Sequence, residues 1–216
     1  MISTMYALLL LLQPHAMPAL STDDYAKMLE DPLRSAWQKP DQVVAQMHLK
    51  PGDTVADIGA GSGYFARRIA PLVEKVYAVD IDAKLLEIAA KQAPKNMETV
   101  LAAPDDPKLP ARSVDVIFFC DVLHHIENRG AYYVKLKRAL KPGGRVVVVD
   151  FYKKKNLPVG PPMEMRLSET EVTGEFRAAG FRVSKSLDFL PYQYFLVFRY
   201  RGRGLGMSGW LSVNAD

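Results

Sequence analysis

From Asp41 onward the chain alternates between apolar runs of strand length and amphipathic stretches of helical length, and the rhythm repeats several times. That alternation predicts a doubly wound α/β architecture around a mainly parallel sheet. Strands are expected at Thr54–Ile58, Lys75–Val79, Thr99–Ala102, Val114–Cys120 and Arg145–Val149, each rich in β-branched or aromatic residues and bounded by Gly, Pro or Asp. Helices are expected near Tyr64–Leu72, Ala83–Gln92 and Ala131–Leu140. Ser168-Glu-Thr-Glu171 has the spacing of a capping box, so a further helix should run from about Glu169 to Ala179, with Gly180 ending it. The last two strand-like runs, Phe181–Leu190 and Gln193–Tyr200, are joined only by Pro-Tyr. A parallel pair needs a crossover of about a dozen residues, so these two must form an antiparallel hairpin at one edge of the sheet.

At 216 residues, 49% hydrophobic and 24% charged, the chain is sized for one globular unit with a sizeable core. Lys and Arg exceed Asp and Glu by four, too small an excess to argue for nucleic acid, and no nucleic-acid partner is expected. The single cysteine, Cys120, excludes an intrachain disulfide and a cysteine-rich metal site. No metal is expected, and reducing cytoplasm is the default compartment. The apolar run Met5–Leu12 is shorter than the roughly 20 residues of a membrane span. Its length suits a secretory signal, which is the alternative to cytoplasmic residence, but no Lys or Arg precedes it and the cleavage site is poor. The expected organisation is an N-terminal apolar segment and helical lid over 1–36, a main domain over 37–200 and a flexible Gly/Arg tail over 201–216. A retained N-terminus could touch a membrane surface peripherally.

The first strand runs into Asp57-Ile-Gly59-Ala60-Gly61-Ser-Gly63 and then directly into a helix. Glycines there permit a sharp turn and close approach of a ligand. Gly61-x-Gly63-x-x-Ala66 also satisfies the spacing of a dinucleotide fingerprint. Asp57 argues against that reading, because a carboxylate ahead of the glycines repels a pyrophosphate and attracts an ammonium. Asp80 ends the second strand about 20 residues after the first glycine, where a ribose diol is held, and Ile81 beside it would pack on a flat base. Asp82 suits a helix N-cap. Asp105 and Asp106, beyond the third strand, could accept from an exocyclic adenine amine. Asp121, at the carboxyl end of the fourth strand, faces the amino-acid part of the ligand or the substrate. Of the adjacent His124 and His125, one is expected to be structural and the other a proton acceptor or substrate contact.

Taken together, Val-Ala-Asp57-Ile-Gly-Ala-Gly-Ser-Gly63, Val-Asp80-Ile, Ser-Val-Asp115-Val-Ile, Asp121-Val-Leu-His-His-Ile126 and Leu-Lys141-Pro-Gly-Gly-Arg-Val occur in the order seen in class I S-adenosylmethionine-dependent methyltransferases. The chain most resembles the branch containing quinone-biosynthesis and small-molecule enzymes. The resemblance covers about Trp37 to Tyr200 and implies a Rossmann-like sheet of seven strands in the order 3-2-1-4-5-7-6, with strand seven antiparallel. It also implies S-adenosyl-L-methionine as cofactor and a small-molecule methyl acceptor. Asp57 and Gly59 to Gly63 would then line the methionine portion, Asp80 the ribose, and Asp105 or Asp106 the adenine. Where relatives often read Gly-Asp-Ala after strand three, this chain has Ala103-Pro-Asp-Asp, which shifts or removes the adenine contact. Two alternatives accompany this reading: a protein that binds the cofactor without transferring its methyl, and a nicotinamide-dependent oxidoreductase. The second draws on the Tyr-x-x-x-Lys spacing of Tyr133 and Lys137, on what is expected to be a surface helix.

Overall fold

The computed structural model describes residues 21–200. Seven strands form one sheet: β1 (Thr54–Ile58), β2 (Lys75–Asp80), β3 (Met97–Leu101), β4 (Val114–Cys120), β5 (Leu140–Phe151), β6 (Phe181–Leu187) and β7 (Gln193–Tyr200). Their order is β3-β2-β1-β4-β5-β7-β6. The first five strands are mutually parallel, and β7 runs antiparallel to both β5 and β6. This is the order expected for the family the sequence resembles.

Burial explains the arrangement. All five residues of β1 are buried, as are Val146–Val149 of β5 and the six residues 193–198 of β7. Strands enclosed on both faces read as continuous apolar runs, and such strands need helices above and below. Three short helices ahead of the sheet, α1 (Thr22–Leu29), α2 (Arg34–Gln38) and α3 (Pro40–Gln46), are followed by α4 (Tyr64–Ile69) and α5 (Ala83–Lys91). Side chains of α3, α4 and α5 close one apolar layer around Phe118, Val147 and Phe195. On the other face α6 (Arg129–Ala139) and α7 (Glu169–Ala178) close a second layer around Phe119, Val148 and Phe198. Phe176 of α7 stacks on Phe198 at 4.1 Å between ring centroids, fixing that helix over β7.

The local signals act as the sequence indicates, with five adjustments, one being that β3 spans Met97–Leu101 rather than Thr99–Ala102. Asp82 caps α5 by accepting from the amides of Lys84 and Leu85, and Ser168 and Glu171 close the capping box of α7. The helix expected over Tyr64–Leu72 is α-helical only to Ile69, and Ala70–Leu72 is a 3-10 turn that contains Pro71. The helix expected from Ala131 starts two residues earlier, because Asn128 caps it through the amide of Ala131. β5 begins at Leu140 rather than Arg145, with a break in register between the Leu140–Val114 and Arg145–Val116 pairs that accommodates Pro-Gly-Gly. β6 stops at Leu187 instead of Leu190, so the hairpin link is 188–192, where Leu190 turns into the core and Pro191 offers no amide to the ladder. The apolar run Met5–Leu12 and the tail 201–216 lie outside the described residues. No helix among those described is long and apolar enough to cross a membrane.

Candidate functional site

Parallel strands deliver their carboxyl ends to one edge, and four of them deliver an aspartate there: Asp57 on β1, Asp80 on β2, Asp121 just after β4 and Asp150 near the end of β5. Asp57 is 3% exposed, and its Oδ2 has no hydrogen-bond partner. Burial, with the charge of Asp80 beside it, pushes this carboxyl up to about 7, against a backbone hydrogen bond at Ala66. A buried acceptor without a donor in a folded protein asks for a ligand that supplies one.

The glycine turn sits above it. Gly59, Gly61 and Gly63 all have positive φ, and two of them also have no room for a side chain. A Cβ on Gly59 would lie 2.4 Å from Val122 Cγ2, and one on Gly61 would lie 2.6 Å from Leu29 Cδ1. Four backbone amides of this turn are already committed. Gly59 and Ala60 donate to the Val79 carbonyl at 2.8 and 3.0 Å, Gly61 to Asp80 Oδ2 at 2.7 Å, and Gly63 to the Ala60 carbonyl at 2.8 Å. A pyrophosphate needs such amides free. Their engagement, with the buried carboxylate of Asp57 beneath them, disfavours a pyrophosphate and with it the nicotinamide reading. Asp80 receives the Asp82 amide at 3.0 Å on its other oxygen, so it is anchored by backbone from two sides. Ile81 follows it, 60% exposed at the rim.

Asp121 has φ 58 and is gripped from both sides. Gln38 Nε2 donates to its Oδ2 at 2.7 Å and Gln193 Nε2 to its Oδ1 at 2.5 Å, while Arg34 fixes the Gln38 amide by donating to Oε1 at 3.0 and 2.6 Å. Burial and the charge of Asp150 push the Asp121 carboxyl up to about 7 in spite of these donors and of Arg34. Gln193 Oε1 is the second buried side-chain atom left without a partner among the described residues. Trp37 on α2 packs on Phe151 and Tyr192 at 5.6 and 6.4 Å, giving this end of the cleft aromatic walls.

The two histidines separate. His124 is 3% exposed in its side chain, with Nδ1 3.2 Å from both oxygens of the fully buried Asp150. Burial alone would lower this imidazole, but the hydrogen bond and charge of Asp150 raise it above its ordinary value. His125 is exposed, its ring 4.2 Å from that of His124. Asp105 is 76% exposed and ion-paired with Lys135 at 3.0 Å, and Asp106 meets Lys135 and Lys108 at 3.5 and 3.7 Å. The structure thus gathers Asp57, the glycines, Asp80 and Asp121 at one edge and leaves Asp105 tied to α6 at the surface.

Several residues of this edge carried no local motif in the sequence. Tyr25 on α1 feels the charges of Asp80, Asp82 and Asp121, and burial raises its hydroxyl. Glu30 just after α1 accepts from Ser62 Oγ at 2.5 Å and from Arg67 at 2.7 Å, latching the helix to the glycine turn. Arg34 stacks over Tyr64 at 4.5 Å. Asp150 did have a signal, since its strand ends in a carboxylate as β1 and β2 do.

Comparison with known proteins bears on the same residues. Residues 56–148 match the model of a methyltransferase domain. A demethylmenaquinone methyltransferase of Tropheryma whipplei is 34% identical over 102 residues, 46% of this chain and 42% of that protein. A ubiquinone/menaquinone biosynthesis C-methyltransferase of Coxiella burnetii is 30% identical over 125 residues, covering 54% and 50%. The chain therefore spans about half the length of the curated relatives it matches. Among solved structures, a SAM dependent methyltransferase from Aquifex aeolicus is 28% identical with a TM-score of 0.76, covering 83% of this chain and 98% of that one. Residues 56–148 thus match a methyltransferase domain, and the sheet carries the strand order and Rossmann-like architecture of an S-adenosylmethionine-dependent methyltransferase.

Proposed function

We propose that the chain transfers a methyl group from S-adenosyl-L-methionine to a small-molecule acceptor. The observation that carries this reading is the unpartnered, buried Asp57 Oδ2 beneath a glycine turn with four of its amides engaged. Such a pocket favours a cation over a phosphate. The cofactor fits this donor set: Asp57 takes its ammonium, Arg34 its carboxylate, Asp80 its ribose hydroxyls, and Ile81 one face of its base. Tyr25, Leu29 and the Glu30 latch form a lid over the glycines. Asp105, paired with Lys135, is not included in the proposed adenine contact, and Asp106 stands at its margin.

When bound, the cofactor supplies an electrophilic methyl on sulfur. The chain's own part is mainly alignment, because in-line transfer gains most from fixing the acceptor behind that methyl. Asp121, held by Gln38 and Gln193, and the aromatic walls Trp37, Phe151 and Tyr192 orient the acceptor. The carboxylates that attract the cofactor must not hold its sulfur charge too tightly, since that charge disperses as the methyl leaves. His124, committed to Asp150, serves as a positioning residue for the β4 and β5 ends. His125 and Asp121 are the groups available to take a proton from an acceptor that must lose one. The names of the curated relatives, methyltransferases of quinone biosynthesis, support a small-molecule acceptor.

Calorimetric titration with S-adenosylmethionine, S-adenosylhomocysteine and NADH tests the reading. Saturable binding of both adenosyl ligands, no binding of NADH, and a loss of about tenfold or more in Asp80→Ala are expected. A folded protein that ignores both adenosyl ligands would end the methyltransferase proposal.

A further inference from the structure

The edge of the sheet opposite this site carries a row of three arginines, two of which have no carboxylate partner among the described residues. Arg145 on β5, Arg199 on β7 and Arg182 on β6 stand in register across three neighbouring strands, so their side chains leave the same face. Like charges directly opposed in a sheet are destabilising, and three in a row mark a surface whose repulsion something else relieves. Arg145 is partly neutralised by Asp53 at 3.5 Å and donates to the carbonyls of Met47 and His48. Arg182 and Arg199 are both exposed, and among the described residues no carboxylate lies within 4.0 Å of either. Arg199 donates to the Gly143 carbonyl at 3.0 Å, and the two arginines line a cleft of about 290 Å³.

This row is continuous with an apolar surface. Lys185, next along β6, places Nζ 3.1 Å from His48 Nε2, and His48 in turn lines a groove of about 520 Å³ walled by Val44, Leu49, Pro51, Leu72 and Val73. Leu72 is 48% exposed at its mouth. Both features sit at the amino ends of the parallel strands, away from Asp57 and Asp80.

We propose that this edge docks on an anionic lipid surface, the exposed Arg182 and Arg199 meeting phosphate headgroups while the aliphatic groove and Leu72 meet the acyl region. Cationic groups bordering exposed aliphatic surface are the combination by which proteins lie on anionic bilayers. The groove walls are aliphatic, and the ring at the arginine cleft, Tyr200, is already packed against Phe181 at 5.5 Å, so the surface lacks a free platform for stacking bases. Docking in this way leaves the cofactor edge facing water, and it holds whether or not methyl transfer is the activity.

Sedimentation of the full chain with phosphatidylcholine vesicles, and with vesicles part phosphatidylglycerol, tests the proposal. Binding to the anionic vesicles alone is expected, falling about tenfold or more in Arg182→Ala/Arg199→Ala and weakened by added salt. Leu72→Ser should reduce it as well. Removing two exposed charges elsewhere, in Lys91→Ala/Lys155→Ala, should leave most of it. Equal losses in the two double variants would reduce the effect to net charge, and binding that survives Arg182→Ala/Arg199→Ala would assign it to another part of the chain. Either result, absence of vesicle binding, or preference for single-stranded RNA over vesicles overturns the proposal. Unchanged S-adenosylhomocysteine affinity in the arginine variant separates its outcome from that of the methyltransferase reading.

Discussion

Replacing Asp57 by Asn is expected to stabilise the ligand-free protein at pH 8 while weakening S-adenosylmethionine binding by about tenfold or more. Both effects have one cause. Burial and the charge of Asp80 push the Asp57 carboxyl up to about 7 in the folded protein. The same group in an unfolded chain ionises near its ordinary value of about 4. Between roughly pH 4 and pH 7 the folded state thus keeps a proton that the unfolded state has released, so stability falls as pH rises through that window and levels off above it. A difference of about three pH units corresponds to about 4 kcal/mol as the most this carboxyl withdraws. Asn carries no charge to desolvate, so its advantage over the native chain should be small at pH 4 and widen towards pH 8. Denaturant unfolding at the two pH values measures it, and a constant difference would refute the assignment. A cationic ligand works in the opposite direction, because it favours the ionised carboxyl. Affinity for S-adenosylmethionine should therefore climb as pH rises to about 7 and flatten beyond, with a proton released on binding below that point. Titration in buffers of different ionisation enthalpy counts that proton.

Arg166→Ala should cost about 4 kcal/mol of local stability and open the segment between β5 and α7. Arg166 is 5% exposed, yet it finds no carboxylate among the described ion pairs. Its guanidinium instead gathers backbone carbonyls from along one loop: Pro161 at 2.7 Å, Lys154 at 3.0 Å, and Tyr152 and Val159 at 3.4 Å each. Phe151 lies beneath it, 5.7 Å from ring centroid to guanidinium carbon. Removing the cation leaves these carbonyls without a donor in a place water reaches poorly. Lys should restore only part of the loss, since its three donors radiate from one nitrogen, whereas the guanidinium spreads five over a rigid plane that reaches four separate carbonyls. Trypsin cleavage after the exposed Lys153, Lys154 and Lys155 reports the opening, and equal cleavage rates for the native and Ala proteins would show that the loop holds without this residue.

What the sequence made legible and what it did not divide along a physical line. Strand spans such as Thr54–Ile58, Val114–Cys120 and Gln193–Tyr200 are set by buried apolar runs, and caps such as Asp82 and Ser168 act over two or three residues, so local reading suffices. Even the antiparallel placement of the last strand followed from the shortness of its link to β6. Asp57, Asp80 and Asp121 were visible because a carboxylate closing a strand is rare enough to notice. Asp150 closes β5 in the same manner, and reading strand ends uniformly would have found it. Gln38, Arg34 and Gln193 are different, for they stand 83, 87 and 72 positions from Asp121 and become its neighbours only through the sheet. Asp105 was placed by local reading after β3, while its partner, a lysine on α6 30 residues away, is again set by the fold.

Strand β7 has a consequence for how the chain reaches this state. It follows every other strand in sequence and yet lies inside the sheet, between β5 and β6. Until it arrives, Val146–Val149 form an open, uncharged, aliphatic rim of the kind that recruits strands from other molecules. The same late strand delivers Gln193 to Asp121. During synthesis, then, the interval in which the growing chain is most prone to cross-molecular pairing is also the one in which its polar clasp is incomplete. Folding must outrun aggregation there.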